Sequence, residues 1–190
     1  MPTLFIIAGC NGAGKTTASF TALPELLNIK EFVNADEIAR GLSPFQPETV
    51  AIEAGRIMLA RIEELVLEKR DFAFETTLAT RSFADLCERA RMRGYEICLV
   101  FLWLDSAELA IERVKQRVSE GGHNVPEETI IRRYHAGIEN FFTLYQDKLD
   151  YWMFIDNSWV NQDLVAECKL GESVTVYNQS KWEKIKSSRQ

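Results

Sequence analysis

Leu4-Phe5-Ile6-Ile7-Ala8-Gly9-Cys10-Asn11-Gly12-Ala13-Gly14-Lys15-Thr16-Thr17 is the stretch on which the fold turns. Its first five residues are apolar without a break, as suits a strand buried on both faces of a parallel sheet. Gly9 to Thr16 then fits the pattern GxxxxGK[ST], with a helix expected from about Lys15. Glycines let the backbone wrap tightly and turn its N–H groups inward, and the helix N-terminus adds its dipole, so the loop forms an anion site for phosphates. The candidate nucleotide contacts are Gly9, Asn11, Gly12, Ala13, Gly14, Lys15, Thr16 and Thr17. Lys15 is expected to reach the β/γ oxygens, and the Thr16 hydroxyl to ligate Mg²⁺. A G-x-G-x-x-G fingerprint is not present, which disfavours a dinucleotide-binding dehydrogenase. No N-K-x-D segment reads guanine, so ATP is expected over GTP.

Strand and helix patterns alternate outward from this loop. Glu31 to Asn34 reads as a short strand, and Pro47 as the first position of a long helix running to about Lys69. Ala51, Ala54, Met58, Ile62 and Leu65 form its apolar stripe. Asp71 to Thr76, Ile97 to Leu104 and Trp152 to Ile155 read as core strands. Helices are expected between them, with Ser82 and Asp85, then Asp105 and Glu108, as capping pairs, and Gly94 as a stop. Another helix, opened by Pro126, should run to about Tyr145. Leu164 to Lys169 and Ser173 to Tyr177 read as a β-hairpin followed by a short polar helix. The expected fold is therefore an α/β domain of the P-loop NTPase type. It would be a three-layer α/β/α sandwich with a mostly parallel sheet and a C-terminal β-hairpin. One domain is expected over residues 1–190, with a lid at about 113–133 and the hairpin and tail at about 160–190.

Composition agrees with that class. The 190 residues are 46% hydrophobic and 26% charged, and 22 basic against 28 acidic residues give a net charge of −6. That is ample apolar material for a folded core. The acidic balance argues against a broad basic face for nucleic acid. No apolar run approaches the ~20 residues of a membrane span. Thr3 to Ala8 has no basic region before it, unlike a signal peptide. Cys10, Cys87, Cys98 and Cys168 form no CxxC pair and match no zinc spacing. A cytoplasmic protein with reduced thiols is expected.

In open parallel sheets ligands bind at the carboxyl ends of strands. Asp36 follows the second strand and Glu75 ends the third. A kinase needs a carboxylate to orient the acceptor hydroxyl and take its proton, and Asp36 is the candidate. The competing reading makes Asp36 a helix N-cap. Glu75 is either a partner for acceptor hydroxyls or water-bound Mg²⁺, or a structural hydrogen-bond acceptor. Thr77 and Arg81 lie just beyond it on the acceptor side. No apolar run ends in a Walker-B aspartate beside an ATPase-type base; Asp105 follows a strand but is placed as a helix cap.

Arg113, Lys115 and Arg117 precede Gly121-Gly122, and Arg132 and Arg133 follow them. Arg113 and Arg117, four apart, share a helix face. Two glycines between two basic helices suggest a hinged lid that brings arginines over a transferring phosphoryl group, with Arg117, supported by Arg113, expected to stabilise the transition-state charge. The alternative is a solvated basic surface. His123 lies in the loop, placed either to meet bound phosphate or to face solvent.

Taken together, Gly9 to Thr16, Asn34-Ala35-Asp36 with Pro44 downstream, Glu75-Thr76-Thr77 and the basic region ending in Val125-Pro126 resemble the zeta-toxin-like family of P-loop kinases. The resemblance covers roughly residues 3–135. It implies an ATP-dependent phosphotransferase with Asp36 as base, Lys15 and Thr16 on the nucleotide and Mg²⁺, and Glu75 and Thr77 facing the acceptor. It further implies UDP-N-acetylglucosamine or a similar nucleotide sugar as acceptor, and an antitoxin as protein partner. Two positions depart from the family pattern: Ala79 stands where an arginine is expected two residues after Thr77, the nearest being Arg81, and His123 stands for a lid arginine three residues before Pro126. Two other readings of the loop remain: an NTPase whose hydrolysis drives a switch, and a toxin-like nucleotide-binding partner of an antitoxin.

Overall fold

A computed structural model describes residues 1–26 and 28–189. Strand β1 (Thr3–Ala8) leads through the glycine loop into α1 (Lys15–Leu26). Then come β2 (Phe32–Val33), α2 (Ala35–Leu42), a 3₁₀ turn (Pro47–Val50), α3 (Ala51–Leu67), β3 (Phe72–Thr76), α4 (Ser82–Met92) and β4 (Glu96–Trp103). The chain continues with α5 (Ala107–Ser119), α6 (Glu127–Asn140), a π turn (Phe141–Tyr145) and β5 (Tyr151–Asp156). Strands β6 (Asp163–Lys169) and β7 (Thr175–Val176) and helix α7 (Gln179–Ser187) complete it.

The strands form one seven-stranded sheet in the order β2-β3-β1-β4-β5-β6-β7. The first five are parallel, and β6 and β7 run antiparallel as the expected hairpin. In β1, Leu4, Ile6 and Ala8 enter the large core cluster, while Ile7 enters a smaller one with Leu23 of α1 and Ala73. Alternate residues of one strand thus serve both faces of the sheet, which makes the fold an α/β/α sandwich. Because β1 lies between β3 and β4, the chain leaves it to one side first and to the other later. That switch point opens a crevice at the carboxyl end of β1, where the glycine loop sits.

Local readings shift in four places. Pro47 opens a 3₁₀ turn, and the α-helix begins at Ala51. Its buried stripe is Ala54, Met58, Ile62, Leu65 and Val66, while Ala51 stays exposed. Ser82 is the first helical residue of α4 rather than its cap; its hydroxyl lies 3.2 Å from that of Thr80. Ser106, not Asp105, caps α5, its hydroxyl accepting from the Leu109 N–H at 3.2 Å. Asp105 instead pairs with Lys184 of α7 at 2.9 Å. The helix after Pro126 ends at Asn140 and widens into a π turn that buries Phe141 and Tyr145.

Candidate functional site

The glycine loop is shaped by close approach. At Gly9, with φ +142°, a Cβ would lie 2.3 Å from the Leu102 carbonyl oxygen, and at Gly14, with φ +80°, 2.6 Å from Asn157 Nδ2. Gly9 combines a left-handed backbone with a backbone oxygen in the way of any side chain, and Gly14 combines one with the Asn157 amide, which a side chain would have to displace. Asn157, just past β5, donates from Nδ2 to the Ala13 carbonyl at 2.7 Å and fastens the loop to the end of β5.

Lys15 is buried, at 7% exposed, and its ammonium donates to the Cys10 carbonyl at 2.9 Å. Glu75 Oε1 lies 3.5 Å away. Thr16 Oγ1 donates to Glu75 Oε2 at 2.8 Å, and Asn34 Nδ2 donates to the same oxygen at 2.8 Å. Glu75 therefore gathers the lysine and threonine of the loop, together with the residue that starts α2. Burial of Cys10 pushes its thiol up to about 11, against the pull of Lys15, so the loop carries a neutral thiol. Thr17, one residue further, is exposed.

Asn34 decides how Asp36 is used. Its Oδ1 accepts from the backbone N–H groups of Asp36 at 2.8 Å and Glu37 at 3.4 Å, which caps α2. The Asp36 carboxylate is left free of capping. It lies where three cavities adjoin, of 510, 230 and 470 Å³. The largest is floored by Lys15, Glu75, Thr76 and Thr77 and walled by Ile52, Arg56 and Leu59 of α3. The other two lie between the Pro44–Glu48 loop and the loop around His123. Arg81 is exposed at the head of α4 and does not line the large cleft.

The arginines are sorted differently from their order in the sequence. Arg113 donates from Nη2 to the Ser158 carbonyl at 2.8 Å, and Arg117 from Nη2 to the His123 carbonyl at 3.0 Å. Each is tied to backbone, and Arg117 staples the loop around His123 to α5. Lys115 closes the same loop through Glu127 at 2.7 Å. Arg113 packs through its Cβ against Gly12, whereas Arg133 hydrogen-bonds the glycine loop, donating from Nη1 to Asn11 Oδ1 at 3.1 Å, and lines two of the cavities beside Asp36. Burial and the neighbouring Arg132 hold its guanidinium below the ordinary range, partly countered by Asp36. The helical phase carries the signal for this residue: Arg133 is three after Ile130 and four before Gly137, both buried, whereas Arg132 is exposed. At Gly137 a Cβ would lie 2.5 Å from the Thr77 carbonyl oxygen, so α6 packs directly on the segment after β3. Asn140 Nδ2 to Leu78 O and Tyr145 OH to Thr80 O, both 2.8 Å, hold that segment down.

Among the described residues, no group of three or more His, Cys, Asp or Glu could hold a metal, and no helix is long and apolar enough to cross a membrane. All four cysteines are free.

Known proteins resemble this chain in sequence or in fold. An uncharacterised protein of Haemophilus influenzae is 28% identical over 127 residues, covering 66% of this chain and 88% of that protein. The AvrRxo1-ORF1:AvrRxo1-ORF2 complex, solved with sulphate ions and with ATP, superposes with TM-scores of 0.79 and 0.76 at 20% identity. These matches cover 100% of this chain, which spans only 65% of theirs. A chain from the PezAT chromosomal toxin–antitoxin system of Streptococcus pneumoniae matches with a TM-score of 0.63 at 15% identity, over 99% of this chain and 84% of that one. The zeta toxin family model matches residues 1–158, from β1 through the glycine loop, the Asp36 and Glu75 strand ends and α6 to the turn after β5, and the chain belongs to that family.

Proposed function

We propose that the protein is an ATP-dependent phosphotransferase that moves the γ-phosphoryl group of ATP to a hydroxyl of a small acceptor. One observation carries this reading: Asn34 takes over the helix cap, leaving the Asp36 carboxylate free where the glycine loop meets the large cleft. A switch NTPase needs only a positioned water, whereas a 510 Å³ cleft beside a free carboxylate suits an organic acceptor. The AvrRxo1 complex solved with ATP supports the choice of nucleotide.

In this reading the loop N–H groups and Lys15 hold the phosphates. The tight glycine cradle and the buried ammonium fit that load. Mg²⁺, when bound, would neutralise phosphate charge, and Thr16 would be its protein ligand, the hydroxyl oriented by Glu75 and Asn34. Asp36 orients the acceptor hydroxyl and takes its proton as the new O–P bond forms and ADP leaves. Arg133, fixed on Asn11 beside Asp36, meets the charge that develops on the transferring group. Arg113 and Arg117 order the lid and the segment after β5, and His123 lines the entrance between lid and α2. Glu75 and Thr77 line the acceptor cleft, while Arg81 meets an acceptor only if it extends past the head of α4.

By family resemblance the acceptor class is a nucleotide sugar such as UDP-N-acetylglucosamine. A small protein partner is proposed from PezAT, described as a toxin–antitoxin system. Incubation with γ-labelled ATP, Mg²⁺ and a metabolite library, followed by a search for a labelled product, tests the reaction. Phosphate release at ordinary turnover with no acceptor product would favour the switch reading instead.

A further inference from the structure

The family match stops at residue 158, yet the turn over residues 156–158 is where the glycine loop is braced. Asp156, the last residue of β5, is 2% exposed. Its Oδ1 accepts from the Ser158 N–H at 2.8 Å and the Ser158 hydroxyl at 2.5 Å. The Ser158 hydroxyl oxygen accepts from the Asp105 N–H at 2.8 Å, and its carbonyl accepts from Arg113. Between them, Asn157 reaches the Ala13 carbonyl. One buried carboxylate thus shapes the turn that touches both the phosphate loop and α5.

The other oxygen of that carboxylate, Oδ2, lies 2.6 Å from Lys181 Nζ, which also contacts Asp163 Oδ2 at 2.8 Å. Lys181 is in α7, beyond the family match. The next residue, Trp182, stacks on Trp152 at 5.8 Å and packs against Phe142 and Phe154, and Ile185 is fully buried. The ammonium is therefore delivered by a helix that is itself fixed in the core.

We infer that Lys181 is a positioning residue for the phosphate loop, and that the C-terminal hairpin and helix act as a strut which sets nucleotide affinity. This rests on the nucleotide-binding reading above. A carboxylate this deeply buried is tolerated because a cation and hydrogen bonds meet it. Burial alone would raise its pKa, but the Lys181 and Ser158 hydrogen bonds outweigh that and lower it. Without the ammonium, Asp156 must either take up a proton or open the turn to water. Either change loosens Ser158 and Asn157, and with them the Ala13 carbonyl and Arg113.

Two measurements test this: calorimetry with MgATP well below the melting temperature, and amide hydrogen exchange over Gly12 to Thr16 in the nucleotide-free protein. Lys181→Met is expected to weaken MgATP about tenfold, inside the ~5- to 150-fold range of coupling between sites, and to speed exchange in the loop. Lys181→Arg should keep most of the affinity. Lys181→Met with Asp156→Asn should recover it, because an amide needs no cation; this pair also serves if Lys181→Met alone folds poorly. Lys184→Met, which removes the surface pair with Asp105 on the same helix, should leave affinity unchanged. Wild-type affinity and exchange in Lys181→Met overturn the inference, as does equal weakening by Lys184→Met or a double variant no better than the single. A wild-type protein that fails to bind MgATP sinks the nucleotide reading, and the exchange comparison then decides the strut.

Discussion

Asn34 and Asp36 stand two residues apart and do different things. Asn34 caps α2 and donates to Glu75, and Asp36 is left facing the cleft. Asp36→Asn keeps the side-chain volume and removes the base, so the transfer rate should fall by roughly 10²- to 10⁴-fold. MgATP affinity should change little. Near-normal transfer in single-turnover assays of this variant would remove the base role. The arginines give a sharper contrast. Arg133→Ala should cut the transfer rate by about 10³-fold or more, as arginines on the transferring group do. Arg117→Ala should act mainly through lid order, raising KM more than it lowers kcat. Equal kcat losses in the two variants would contradict the assignment of Arg133. Neither distinction was plain from residue order. Asn34 lay two positions from the more conspicuous acid, and Arg133 differed from Arg132 only in helical phase.

At the scale of elements, α6 joins the segment after β3 to the glycine loop. One face packs through Gly137 on the Thr77 carbonyl, and one turn earlier Arg133 reaches Asn11. Gly137→Val forces α6 and the segment after β3 apart. Overpacking of this kind costs about 1–3 kcal/mol, visible in chemical denaturation. Transfer activity should fall more steeply than stability, because Arg133 and Thr77 move together. A stable variant with unchanged kcat and KM would show that this packing does not position the site. Ile62 is a plain core position, 1% exposed on α3, and Ile62→Ala should cost ~2–5 kcal/mol with little effect on the remaining folded enzyme's kcat. The elements themselves were legible because apolar runs and periodic stripes report burial directly. Caps were less so: Ser82 and Asp105 each stand one position from the true cap, Arg81 and Ser106, a distance that propensity does not resolve.

For the whole molecule, the glycine loop and the alternation of strands and helices carried the parallel sheet and the location of the site. What they did not carry was tertiary bracing. Asn157 meets Ala13 across 144 residues, and Lys181 meets Asp156 from a tail with no motif of its own. That ion pair has a pH signature. The folded pKa of Asp156 is lowered, so its stabilising contribution is full above the ordinary carboxylate value of about 3.9 and is lost as pH falls through the lowered folded value. The stability gap between wild type and Asp156→Asn, followed by denaturation, should be constant near neutral pH and shrink only in strong acid. A gap already closing between pH 7 and 5 would mean that Asp156 is not held as the anion.

Phosphoryl transfer to an organic hydroxyl, from a site that Asp36 completes, is the proposed reaction. Its most direct measurement is the fate of label from γ-labelled ATP, with Mg²⁺ and a metabolite library that includes UDP-N-acetylglucosamine, compared between wild type and Asp36→Asn. Label in an acid-stable phosphomonoester of one acceptor, made by wild type and lost at least 10²-fold in Asp36→Asn, is the predicted result. Label appearing only as inorganic phosphate, at the same rate in both proteins and with every acceptor, would contradict it.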